Sequence, residues 1–142
     1  MTAIHKHTTS LTILSQTDFL SEVREFVSRL AREHGFTEDD VNKISIAVDE
    51  ACTNIIKHGY KFAKNEKITL DINRKGKEFE IVISDNGRQF NPNDISTPDM
   101  KEYLTHYRRG GLGVYLMKRI MDKVEFQFQP NRNQLRLVKY LQ

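Results

Sequence analysis

A carboxylate and an amide one helical turn apart, Glu50 and Asn54, are the first residues of the chain able to do chemistry together. They lie in the stretch Ile44–Tyr60, ISIAVDEACTNIIKHGY. Spaced by four, they project from neighbouring points on one side of a helix. At about 100° per residue the pair falls about 110° from the centre of the apolar stripe, so it flanks the core without interrupting it. Such a pair can hold a hydrated cation and orient a nucleophile. A solvated polar edge is the plainer use of the same residues.

Two glycine-bearing stretches add to this pair. Ser84-Asp85-Asn86-Gly87 ends an alternating run. A carboxylate placed where a strand runs out, followed by glycine, can reach a ligand beyond the sheet edge, although Asp-Asn-Gly is also ordinary turn chemistry. Arg108-Arg109-Gly110-Gly111-Leu112-Gly113 precedes a run of helical period. Glycine lets backbone N–H groups approach a ligand closely, and a helix N-terminus carries partial positive charge. Arginines in front of such a start suit phosphate.

Regular elements must position these stretches. Leu11 and Ile13 mark a first strand, Ser10–Leu14, behind a polar start that carries His5 and His7. Ser15 or Thr17 then caps a helix in which Phe19, Leu20, Val23, Phe26, Val27 and Leu30 keep the helical period, and Gly35 closes it. Glu22, Arg24, Glu25 and Arg29 form its solvated face. Thr37 opens the central helix with acidic residues in its first turn, where the helix dipole favours them. Val41, Ile44, Val48, Ala51 and Ile55 form its buried stripe, and it runs to about His58.

Ile68, Leu70 and Ile72, then Phe79, Ile81 and Ile83, alternate on two strands joined at Lys75-Gly76-Lys77, which predicts a hairpin. Residues Arg88–Arg109 are polar and carry Pro92 and Pro98, a length and composition that suit a lid or binding loop. A short helix is possible near Asp99–Tyr107. Leu116, Met117, Ile120 and Met121 follow at helical spacing, with both methionines read as core. Strands near Val124–Gln129 and Gln134–Leu141 close the chain. The order β-α-α-β-β-lid-α-β-β predicts an α+β fold of two layers, with a largely antiparallel or mixed sheet and helices on one face.

Composition bounds the function. The 142 residues fit one domain. The balance of 22 basic and 19 acidic residues, +3, is too mild to establish a nucleic-acid partner, and no interleaving of aromatic and basic residues supports one. No apolar run approaches the ~20 residues of a membrane span, and the start MTAIHKHTTS lacks the apolar segment of a signal peptide. A soluble cytoplasmic protein is expected. Cys52, the single cysteine, is read as a small core residue.

Glu50-Ala51-Cys52-Thr53-Asn54, Asp85-Asn86-Gly87-Arg88-Gln89-Phe90-Asn91-Pro92 and Arg109-Gly110-Gly111-Leu112-Gly113 occur in the order of the nucleotide-binding boxes of the GHKL ATPases. The chain most resembles the small stand-alone branch, the anti-sigma-factor serine kinases, from about Leu11 to Leu141. The resemblance implies the Bergerat-type ATP-binding fold, a two-layer α/β sandwich, in one histidine-kinase-like ATPase domain over residues 1–142. It implies ATP with Mg²⁺: Asn54 as the metal ligand, Glu50 as general base toward the attacking hydroxyl, and Asp85 as acceptor for the adenine amino group, with Gly87 letting the base lie close. Gly111 and Gly113 would give backbone amides to the phosphates, Arg109 would contact the terminal phosphate, and Gly110 and Leu112 belong to the same nucleotide-binding turn. Residues 88–109 would be the lid.

The same resemblance implies a STAS-type antagonist phosphorylated on serine, a sigma factor bound in competition, and a homodimer. Two positions depart from the pattern. Gln89 stands where the broader superfamily has a second glycine, followed by Phe90 as in this branch. Asn133-Gln134 stands where many members carry Gly-Thr before the last strand. That second departure leaves an alternative open, a partner-switching module without turnover that uses ATP structurally or not at all.

Overall fold

The computed structural model describes residues 7–88 and 113–142. Five strands form one sheet: β1 (His7–Leu14), β2 (Lys67–Lys75), β3 (Glu78–Asp85), β4 (Lys123–Gln129) and β5 (Arg132–Tyr140), in the spatial order β1-β2-β3-β5-β4. Every pairing is antiparallel, which resolves the expectation of a largely antiparallel or mixed sheet. Strand β1 begins at His7, earlier than the sequence suggested, because Thr8 and Ser10 find side-chain partners in Asn73 and Asp71 across the ladder.

Three helices cover one face. They are α1 (Leu20–His34), α2 (Glu38–Asn54), which continues into a π-helical turn Ile55–Gly59, and α3 (Gly113–Ile120). Helix α2 packs between α1 and α3. The inward side chains of the strands, among them Ile68, Leu70, Ile72, Phe79, Ile81, Ile83 and Leu137, meet the stripes of α1 and α2 in one core. The opposite sheet face is polar. Thr12 faces Thr69, Asn73 donates to Glu80, and Arg136 reaches Glu80, Glu125 and Glu78. One buried face and one solvated face are what period-two alternation provides.

The caps follow their residues. Gly35 takes φ +114 at the end of α1, and the Thr37 side chain accepts from the Asp40 N–H at the start of α2. Ser15 and Thr17 do not cap a helix as expected. Phe19 holds the N-cap of α1 and Gln16 that of a short 3-10 turn, Thr17–Phe19, before it, neither with a side-chain cap, and the Ser15 hydroxyl instead donates to the Ala63 carbonyl and accepts from the Glu66 N–H. That serine therefore ties β1 to the loop leaving α2. Arg24, read as part of a solvated face, ion-pairs with Asp49 at 2.6 Å and joins α1 to α2. Cys52 is fully buried, and burial pushes its thiol up to about 12, in keeping with a core role. Met117 and Met121 are core as read. Among the described residues no helix is long and apolar enough to cross a membrane.

Candidate functional site

The sequence of α2 delivers Asn54 to its last turn, where the apolar stripe is still buried. Asn54 is only 2% exposed. Neither its Nδ2 nor its Oδ1 has a partner among the described residues. A buried carboxamide with both ends unsatisfied forgoes about 1–3 kcal/mol per group, so it needs a ligand or a reason.

Immediately after Asn54 the helix widens. In the π-helical turn Ile55–Gly59 the Tyr60 N–H reaches the Ile55 carbonyl at 2.8 Å. Such turns insert one extra residue into a helix and concentrate at functional sites. This one carries Gly59 against the end of β3. The Arg88 N–H donates to the Gly59 carbonyl at 2.7 Å. Gly87 lies so close that a Cβ there would stand 2.8 Å from the Gly59 carbonyl carbon and 3.1 Å from Asp85 Oδ1. Only glycine fits at this contact. The Tyr60 hydroxyl completes the join, accepting from the Asn86 N–H at 2.8 Å and donating to the Lys67 carbonyl at 2.6 Å.

Asp85 closes β3 and is 7% exposed. Its Oδ1 accepts from the Gly87 N–H at 2.8 Å and from Asn133 Nδ2 at 3.1 Å. Burial pushes the Asp85 carboxyl above the usual carboxylate range, and those two donors hold it back. Asn133 sits directly across the ladder from Asp85, and its Nδ2 also donates to the Gly87 carbonyl at 2.9 Å.

These residues share one pocket. Asn54, Asp85, Asn133 and Gln134 supply its polar wall, while Ala51, Ile55, Met117, Phe126, Phe128 and Leu135 supply the apolar one. Phe126 and Phe128 stack at 6.1 Å between centroids. Polar groups converging in an apolar cleft are the usual construction of a small-molecule site.

Of the residues expected from sequence, Asn54 and Asp85 line the pocket and Gly87 braces it. Glu50 lies one turn back along α2, half-buried, with an interaction of its own, and is not part of the pocket wall. Its neighbour Asp49 is committed to Arg24, which leaves Glu50 as the other carboxylate of that turn. Gly113 opens α3. Arg109, Gly110, Gly111 and Leu112, the lid 89–109 and the short helix near Asp99–Tyr107 lie outside the described residues.

The sequence reading noted Asn133-Gln134 only as a departure from a Gly-Thr pair, began the last strand at Gln134, and did not count Asn133 in the site. The strand begins at Arg132, and pairing β5 against β3 sets Asn133 opposite Asp85. It also missed Tyr60 and the role of Gly59 beyond ending a helix. A glycine followed by an aromatic at the end of a polar-edged helix was the available signal.

Comparison with known proteins comes from three directions. Residues 13–139 match the family described as the histidine kinase-like ATPase domain. The chain is similar to the serine-protein kinase RsbW of Halalkalibacterium halodurans, 32% identical over 139 residues, covering 95% of this chain and 84% of that one. It is also similar to RsbW of Bacillus subtilis, 31% identical over 117 residues and covering 80% and 73%. Its fold resembles the RsbU and RsbW domains of a Mycobacterium tuberculosis protein, with a TM-score of 0.68 at 15% identity. The match covers 95% of this chain but 32% of that larger one. The SiaB-SiaC complex of Pseudomonas aeruginosa contains a chain of the same fold, with a TM-score of 0.62 at 13% identity.

Proposed function

The chain belongs to the histidine kinase-like ATPase domain family, with the RsbW serine-protein kinases among its relatives, and from that premise we propose that it is an ATP-dependent protein serine/threonine kinase acting as an anti-sigma factor. Its substrate would be a serine on a STAS-type antagonist, with a sigma factor bound in competition. It would work in the cytoplasm as a homodimer.

The observation that carries the reading is the buried, doubly unsatisfied carboxamide of Asn54 beside the Asp85–Gly87 brace. An amide oxygen is a fitting ligand for Mg²⁺, a hard cation that keeps most of its waters and takes few protein oxygens. When bound, that ion would neutralise charge on the ATP phosphates. Asp85 would accept from an amine on the purine edge, and the Gly87 contact would let the ring lie against backbone. Glu50 would take the proton of the attacking serine hydroxyl. Arg109, Gly110, Gly111, Leu112 and Gly113 would receive the phosphates. Phosphoryl transfer asks chiefly for positioning and charge neutralisation, so this small set of groups is adequate.

Incubation with labelled ATP and a STAS-type antagonist tests the proposal. The expected result is labelled antagonist from the native chain. Glu50→Gln should keep most nucleotide affinity and lose about 10²–10⁴-fold in transfer rate, the usual worth of a general base. Undiminished transfer by that variant removes Glu50 from the mechanism. A second reading, a partner-switching module without turnover, draws on the position of Glu50 outside the pocket wall. Label on the antagonist excludes it.

A further inference from the structure

We propose that Asn133 is a specificity-determining residue of the nucleotide pocket, which reads the exocyclic amine of a 6-aminopurine together with Asp85. The inference rests on the ATP reading above and adds a contact to it.

The orientation of the Asn133 amide is fixed by its neighbours. Both of its contacts, Asp85 Oδ1 at 3.1 Å and the Gly87 carbonyl at 2.9 Å, are acceptors. The two hydrogens on Nδ2 serve them. Exchanging nitrogen and oxygen would set three oxygens against one another. The Asn133 Oδ1 must therefore face elsewhere. It is buried, it has no partner among the described residues, and its residue is 6% exposed on the pocket wall.

Asp85 is in a comparable position. Among the described residues its hydrogen bonds all fall on Oδ1, which leaves Oδ2 for a ligand. The Asp85–Asn133 pair thus offers a ligand two acceptors and no donor. One nitrogen carrying two hydrogens satisfies both, as the 6-amino group of adenine does. A 6-oxo group would set its lone pairs against them. The apolar walls say nothing of a ring's substituents, and Asp85 and Asn133 are the two polar lining residues joined by a hydrogen bond. Asn133 therefore does more than hold Asp85 in place.

The test uses the full chain with Mg²⁺ and displacement of a fluorescent ATP analogue. Competitors are ATP, GTP and purine riboside triphosphate, which differs from ATP only in lacking the 6-amino group. The native chain should prefer ATP over both. Asn133→Leu should reduce the preference over purine riboside triphosphate by about tenfold, the worth of one hydrogen bond. The loss should come from ATP, with purine riboside triphosphate bound as before.

Asn133→Asp, of the same shape, supplies a second readout. At low pH one of the two facing carboxyls holds a proton and donates to the other, which restores the acceptor pair, so the preference should return as pH falls. Three results overturn the proposal. One is an unchanged preference in both variants. Another is equal weakening of ATP and purine riboside triphosphate. The third is a loss as complete as Asp85→Ala produces, which would mean that Asn133 only places Asp85. Should the native chain bind no ATP, the kinase reading falls as well; if it binds ATP and any of these results appears, only the role of Asn133 falls.

Discussion

The two ends of strand β3 bury polar groups in different ways. Where β3 begins, Phe79 packs against Phe36 edge-on at 5.6 Å and against His34 at 5.4 Å. The Leu141 N–H closes that end on the Lys77 carbonyl at 2.9 Å. Two buried nitrogens there, His34 Nε2 and Arg74 Nε, lack partners among the described residues. Arg74 keeps another nitrogen 3.5 Å from Glu33. His34 is hydrogen-bonded to the Lys77 backbone, and burial holds its pKa below the usual histidine value. A neutral ring carries one N–H and one bare nitrogen, so its orphan atom is the cheaper one. Where β3 ends, Asn54 and Asn133 leave three atoms unpaired among the described residues. A carboxamide has no proton to shed. The histidine of the first end relieves its burial cost by titration, whereas the carboxamides of the second can relieve theirs only with a ligand. On the function proposed above, the first end serves stability and the second binding.

Removing the aromatic anchor of the closed end should produce the largest effect. Phe79 is fully buried. Phe79→Ala should cost about 3–5 kcal/mol through lost burial and the cavity left behind. At temperatures where the variant remains folded, nucleotide affinity should stay near the native value, because the ring packs on His34 and Phe36 at the far end of β3 from the pocket. Chemical denaturation paired with nucleotide titration checks both halves. A collapse of affinity in folded Phe79→Ala protein would show that the two ends are not separable.

At the other end the expected sign reverses. Asn54→Leu replaces two unpaired buried atoms by an apolar side chain of similar size. The nucleotide-free protein should gain about 1–3 kcal/mol, the usual cost of an unsatisfied buried group. Binding of ATP with Mg²⁺ should drop below detection. Gain of stability with loss of function is the familiar signature of a site built at the expense of the fold. A destabilised variant would mean that Asn54 is held by the protein itself, and the contrast between the two ends would disappear.

Much of this was legible from residue order. The strands and helices follow their periods because each buries one face, and Gly35 and Thr37 cap where glycine and threonine should. Asn54, Asp85 and Gly87 were recognisable as a set. What escaped was long-range. Asn133 acquires its role only from the β3–β5 register, which sets it across from Asp85. No local pattern encodes that pairing. Ser15 looked like a helix cap, the common use of a serine before a helical run, yet its hydroxyl serves a loop 48 residues away. The π-helical turn was invisible because Ile55 and Ile56 are buried under either helical period.

The smallest effect separates the ends by pH. At the closed end, burial depresses the pKa of His34. Between that lowered value and about 6.5, the ordinary histidine value, the unfolded chain binds more protons than the folded one. Stability therefore rises with pH through this window and is lost on acidification. At the site end the pKa of Asp85 is raised. There the folded chain holds more protons than the unfolded one between about 3.9 and the raised value, so the stability contribution of Asp85 falls as pH rises. His34→Gln keeps a donor for the Lys77 carbonyl and cannot titrate. Relative to the native chain it should gain stability as the solution is acidified below about 6.5. Asp85→Asn should hold its largest advantage near neutral pH and lose it on acidification. Melting temperatures of the three nucleotide-free proteins across pH would draw two difference curves, both referred to the native chain. The His34→Gln curve should climb toward acid while the Asp85→Asn curve descends. Parallel curves would contradict the opposite directions in which burial shifts His34 and Asp85.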